Sequence, residues 1–148
     1  MHSLTHVPGL RDGELGSLMD WAEVFVVFLV SHLVGDFGIQ TEWQARHKHG
    51  GLGPNPTARR ALLAHVLTYT LAFVPAFVWL WDDLGAGVLA LAALVFGTHL
   101  VQDDGRLLDQ YVVHVKHTDP EGHPAVRLAV DQTLHILVLF GLALLVAT

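Results

Sequence analysis

Cysteine is absent from the 148 residues, which excludes disulfides and thiolate metal sites and leaves no sign of a redox compartment. Charge is also scarce: Asp, Glu, Lys and Arg together make up 15% of the chain, against about 25% in an average soluble domain. Lys and Arg number 8 against 14 Asp and Glu, for a formal net charge of −6. No stretch concentrates enough cations to neutralise a run of phosphates, so a nucleic-acid partner is not expected. The first twenty residues are polar and lack a basic segment followed by an apolar stretch and a small-residue cleavage site, so no cleaved signal peptide is expected. Low-complexity segments are missing as well, and the chain reads as one domain preceded by a polar segment over residues 1–19.

What the chain has in excess is apolar surface, with 52% hydrophobic residues and a positive mean hydropathy. The excess is concentrated in residues 21–34, 61–81, 84–101 and 126–147, each near the ~20 residues needed to cross hydrocarbon. Two of these stretches reach spanning length only if His32/Asp36 and His99/Asp103 lie inside the helix. The expected fold is therefore an all-α membrane protein, a four-transmembrane-helix bundle over residues 20–148.

Breaks between the stretches are turn-like. Residues 50–57 contain Gly50, Gly51, Gly53, Pro54 and Pro56 and cannot continue a helix, with Thr57 the expected N-cap of the second one. Asp82 and Asp83 are expected in a tight turn, Pro124 in the first turn of the last helix, and Pro75 at a kink in the second. Seven of the eight basic residues, Arg46, Lys48, Arg59, Arg60, Arg106, Lys116 and Arg127, flank the first and third connections, the exception being Arg11. The positive-inside rule makes those connections cytoplasmic and both termini external.

Three of the four stretches carry a His and an Asp four residues apart: His32 with Asp36, His99 with Asp103 and, in reversed order, Asp131 with His135. That spacing places both side chains on one helical face. The second stretch adds His65. Helices of alternating direction carry these groups near the same end, so all seven are expected at a similar depth, in a layer about two turns thick. Isolated ionisable groups in a membrane are costly and generally face the interior, where they pair or bind something. Neutral imidazole and carboxylate suit Zn, Mn or Fe, and helical bundles build metal sites from inward carboxylates and histidines. Four His and three Asp exceed the needs of one tetrahedral ion, so one or two divalent ions per chain are expected. The alternative is that each pair is a hydrogen bond holding helices together.

Other polar residues divide in the same way. Gln40 continues the His32/Asp36 face and can orient a ligand or substrate, or cap the helix at the interface. Lys48, Arg59, Arg60 and Arg106 can hold an anionic substrate or contact lipid headgroups. Tyr69, one turn beyond His65, can bond within the site or be a buried aromatic. His47, His49, His114, His117 and His123 fall in the connections and are expected to be solvated.

The combination of His32, Gly35, Asp36, Phe37 and Gln40, with Lys48, then His65, then His99 and Asp103, then Asp131, Gln132 and His135, resembles domain-of-unknown-function family 3307. This is a bacterial family of small integral membrane proteins, and the likeness runs from Trp21 onward. The chain is also similar in character to bacterial proteins labelled membrane-bound metal-dependent hydrolases. The resemblance implies a multi-pass protein of the bacterial inner (cytoplasmic) membrane. It also implies a Lys after the third-stretch pair, where this chain has Arg106.

Metal-dependent hydrolysis of a phosphate ester or other anionic substrate at the cytoplasmic interface is the leading expectation. Asp36, Asp103 and Asp131 would serve as ligands or general bases, with Gln40, Lys48 and Arg106 at the substrate. A transporter or proton relay through the same residues is the second reading, and a haem-binding electron carrier using the four histidines is the third. The expected partners are the lipid bilayer and that substrate, and a homo-oligomer is compatible with the sequence.

Overall fold

The computed structural model describes residues 20–147, all of whose regular elements are helices. The polar segment 1–19, with Arg11, lies outside the described residues. Asp20 caps α1 (Trp21–Leu33) by accepting from the Ala22 amide, and the helix continues without a break into a π-helical turn, Val34–Ile39. Short α2 (Glu42–His47) starts at a capping box in which the Thr41 hydroxyl accepts from the Gln44 amide and the Gln44 side chain accepts from the Thr41 amide.

Helix α3 (Pro56–Ala72) is capped by Asn55, not by Thr57 as the sequence suggests. Pro56 has no amide proton to offer and suits the first helical position. The cap therefore moves one residue ahead of it, and Asn55 Oδ1 accepts from Thr57 and Ala58. The second apolar stretch is interrupted near Pro75, where a kink is expected: α3 ends at Ala72, and α4 (Val74–Trp79) begins beside Pro75, with only Phe73 between them. Asp82 and Asp83 lie in a single helical turn, α5 (Trp81–Leu84), and the reversal falls on Gly85, whose positive φ suits glycine. Then come α6 (Gly87–Asp103), α7 (Arg106–His114) and α8 (Pro124–Val146), which has Pro124 in its first turn as expected.

Two helices are long and apolar enough to cross a membrane, Trp21–Ile39 and Pro124–Val146, and Gly87–Asp103 is a shorter apolar one. Helices α1, α3, α6 and α8 pack around a shared apolar core. Val24 and Phe28 from α1 meet Tyr69 and Phe73, then Leu91 and Val95 from α6 and Leu139 from α8. The close approach of the 48–53 loop to α3 requires Gly51, where a Cβ would lie 2.6 Å from Leu62 Cβ. Asp104 ties that loop down, its carbonyl accepting from Gly50 and its Oδ1 from Leu52. The result sets Lys48, at the C-cap of α2, over the shared end of α1, α3, α6 and α8.

Candidate metal centre

All seven ionisable groups singled out by spacing meet at that end. His32, His65, His99 and His135 are each no more than 1% exposed, Asp36 and Asp103 are buried, and the Asp131 side chain is 20% exposed. Every one comes from a helix of the shared core, Asp36 through the π-helical turn. That turn widens the helix just where its carboxylate must reach α3 and α6, and π-turns recur at functional sites for this reason.

Four groups form the tightest cluster: Asp36, His65, His99 and Asp103. His65 Nε2 lies 2.7 Å from Asp103 Oδ2, 3.3 Å from Asp36 Oδ1 and 3.0 Å from His99 Nε2. His99 Nε2 in turn lies 3.2 Å from Asp103 Oδ2 and 3.4 Å from Asp36 Oδ1. A tetrahedron with metal–donor bonds of about 2.0–2.1 Å has edges of about 3.3–3.4 Å; the contacts of Asp36 with both imidazoles and of His99 with Asp103 are near that length, and the His65–Asp103 and His65–His99 contacts are shorter. Asp36 Oδ1 is buried without a hydrogen-bond partner, although it faces both imidazoles. Such a carboxylate oxygen needs positive charge beside it. The four donors could hold a metal ion, and so could a second group that shares one member, Asp103 with Asp131 and His135.

His32 stands beside the four-donor cluster without joining it. Its Nδ1 is 3.1 Å from the Tyr69 hydroxyl and its Nε2 3.1 Å from Gln132 Oε1. The amide oxygen can only accept, so His32 Nε2 carries the proton and Nδ1 accepts from Tyr69. Gln132 Nε2 then donates to Asp131 Oδ2 at 3.4 Å. Tyr69, His32, Gln132 and Asp131 thus form one directed chain of hydrogen bonds, the kind of outer support that orients metal-binding residues. Tyr69 also lies flat against the His99 ring, centroid to centroid 3.4 Å with 3° between the planes.

The candidate substrate residues are placed differently. Lys48 Nζ bonds Asp103 Oδ2 at 2.7 Å, inside the cluster. Arg106 pairs with Asp104, Arg59 donates to the Gly53 carbonyl, and Arg60 lies over the Trp43 ring. Gln40 falls just after the π-helical turn, with its Nε2 buried and unpartnered. Among the histidines of the connections, His49 pairs with Asp109 at 2.6 Å, and Asp109 also accepts from Arg127. Gln132 is the contributor that spacing misses: it adjoins Asp131 in sequence and becomes meaningful only through the crossing of α1 and α8.

The fold and site define an all-helical protein with two helices able to cross a membrane and a buried His/Asp centre at one end. The chain belongs to the family described as Protein of unknown function (DUF3307), which it matches over residues 24–148. No curated protein and no solved structure matches it.

Proposed function

We propose that this chain is a four-span protein of the bacterial inner membrane with both termini external. In this reading it is a metal-dependent hydrolase acting on a phosphate ester or other anionic substrate at the cytoplasmic face. The observation that carries the proposal is the buried quartet of Asp36, His65, His99 and Asp103, whose donor atoms converge within ligand-sharing distance and include one carboxylate oxygen, Asp36 Oδ1, without a hydrogen-bond partner.

Membrane residence is supported by the inversion of polarity across the helices. Val26, Val30, Leu67, Val78, Leu89 and Leu137 face outward while the imidazoles lie inside. Only 33% and 22% of the apolar windows of the two long helices are buried, unlike the core helices of a soluble protein. Paired with the distribution of Lys and Arg, this orients the His/Asp end toward the cytoplasm. Reporter fusions at the two termini should both give external signals, and a cytoplasmic C-terminus would overturn the orientation.

Zn, Mn or Fe held at this His/Asp centre would lower the pKa of a bound water and polarise a phosphoryl or acyl group. Asp36 and Asp103 would be ligands, Asp131 a ligand or general base, and Lys48 would hold Asp103 in place. The close approach of His65 and His99 Nε2 suits a shared ion far better than haem, whose axial ligands lie on opposite faces of the macrocycle. Elemental analysis of detergent-purified protein should find a divalent transition ion retained through chromatography. Protein without metal, unable to take up zinc or manganese on addition, would rule the proposal out.

A further inference from the structure

We infer that the centre holds two ions bridged by Asp103: a closed one on Asp36, His65, His99 and Asp103, and an open one on Asp103, Asp131 and His135. The inference rests on the metal-dependent reading above and deepens it by fixing the number of ions, their ligands and the side from which substrate enters.

The deciding atom is His135 Nε2. His135 Nδ1 lies 2.8 Å from the backbone oxygen of Asp131, which can only accept, so Nδ1 carries the ring proton. In the neutral ring, Nε2 is then a bare lone pair. It is buried, makes no hydrogen bond, and lies 3.6 Å from Asp103 Oδ1. The Lys48 ammonium lies against the other oxygen of Asp103, so the pair of facing acceptors at Oδ1 and His135 Nε2 offers a place that a divalent ion would fill. Asp131 completes the group, with its donor atom within 4.8 Å of those of the other two residues. The two oxygens of Asp103 are divided between the sites, Oδ2 toward His65 and His99 and Oδ1 toward His135. Paired ions about 3.5–4 Å apart are the common arrangement for displacement at phosphorus.

The sites differ in the way that separates a structural from a reactive position. The first has four buried protein donors, a complete tetrahedral set, whereas the second has three and so keeps a place for water or substrate. Asp131 also borders a cavity of about 430 Å³ between α6, α7 and α8, walled by Val101, Leu108, Tyr111 and Leu134. Charge points the same way. With neutral histidines, three carboxylates and the Lys48 ammonium leave two negative charges, which one divalent ion cancels. A second ion leaves two positive charges, matching the dianion of a phosphate monoester whose organic group lies along the cavity wall.

The test is the stoichiometry of manganese in the detergent-purified full chain, with electron paramagnetic resonance of the loaded protein. Wild type should bind two ions with an exchange-coupled spectrum. Asp131→Asn and His135→Ala should each bind one, giving the spectrum of an isolated ion. Asp131→Asn carries the test if His135→Ala fails to fold, because Asp131 is partly exposed. One ion in wild type, unchanged in Asp131→Asn, overturns the second site and leaves the first standing. Two ions in both variants would show that these ligands are wrong. Failure of wild type to bind any ion overturns this inference together with the proposal beneath it.

Discussion

Asp103→Asn is expected to abolish metal retention and, with it, the response of the protein's thermal stability to chelator. Asparagine keeps the shape of the side chain and can still accept a hydrogen bond, but loses the charge that an ion and Lys48 both require. Helix packing alone predicts little, since hydrogen bonds between membrane helices average about 0.6 kcal/mol. A ligand at one hundred times its dissociation constant instead contributes about 2.7 kcal/mol to the native state. Loss of the Lys48 partner also destabilises the variant, because one member of a buried pair is left without compensation. The informative quantity is therefore the difference made by chelator, measured separately in each protein. Wild type should melt at lower temperature after chelation and recover with added zinc, while Asp103→Asn should do neither. A variant that retains wild-type metal content would remove Asp103 from the ligand set.

The amino-acid order reveals the members of this cluster better than their individual roles. A spacing of four is enough to put His99 and Asp103 on one face, and the alternating direction of the helices is enough to bring Asp36, His65 and His135 to the same end. What spacing leaves open is which atoms meet. His32 has the same local pattern as His99, a carboxylate one turn onward, yet Tyr69 and Gln132 engage both its nitrogens. That difference arises from the crossing of three helices and has no local signature. Gln132 is itself one residue from Asp131, about 100° around an ideal helix, so a one-face reading passes over it.

Other features carried signals of a more local kind. Thr41 and Gln44 form a T-x-x-Q capping box that marks the start of α2, and this short helix is what delivers Lys48 to Asp103. Pro56 and Asn55 together specify the N-terminus of α3, because a proline at the first helical position places the capping side chain immediately before it. The π-helical turn is harder to foresee. It carries Asp36 between His65 and His99, a destination set by other helices and not by local sequence.

Gly35 gives the second large effect, because its missing side chain is what allows the aromatic support of the site to close. A Cβ on Gly35 would lie 2.5 Å from Tyr69 Cδ2 and 3.2 Å from Cε2. The Tyr69 ring cannot retreat freely: it is buried, its other contacts include the stacked His99 ring, and its hydroxyl donates to His32. Gly35→Ala must therefore push the tyrosine against a candidate metal ligand or bend α1 away from α3. Overpacking of this kind costs about 1–3 kcal/mol, and here the displacement also loosens the four-donor geometry. Gly38→Ala, in the same π-helical turn, is the matched control, because its Cβ would meet only the Val34 side chain, at 3.7 Å from Cγ1 and 4.0 Å from Cβ, ordinary contacts. Thermal melts and zinc content of the two variants should diverge, with Gly38→Ala close to wild type and Gly35→Ala lower in both. Equal behaviour would mean that Tyr69 yields without moving His99, and that the stacked pair gives the site no rigidity.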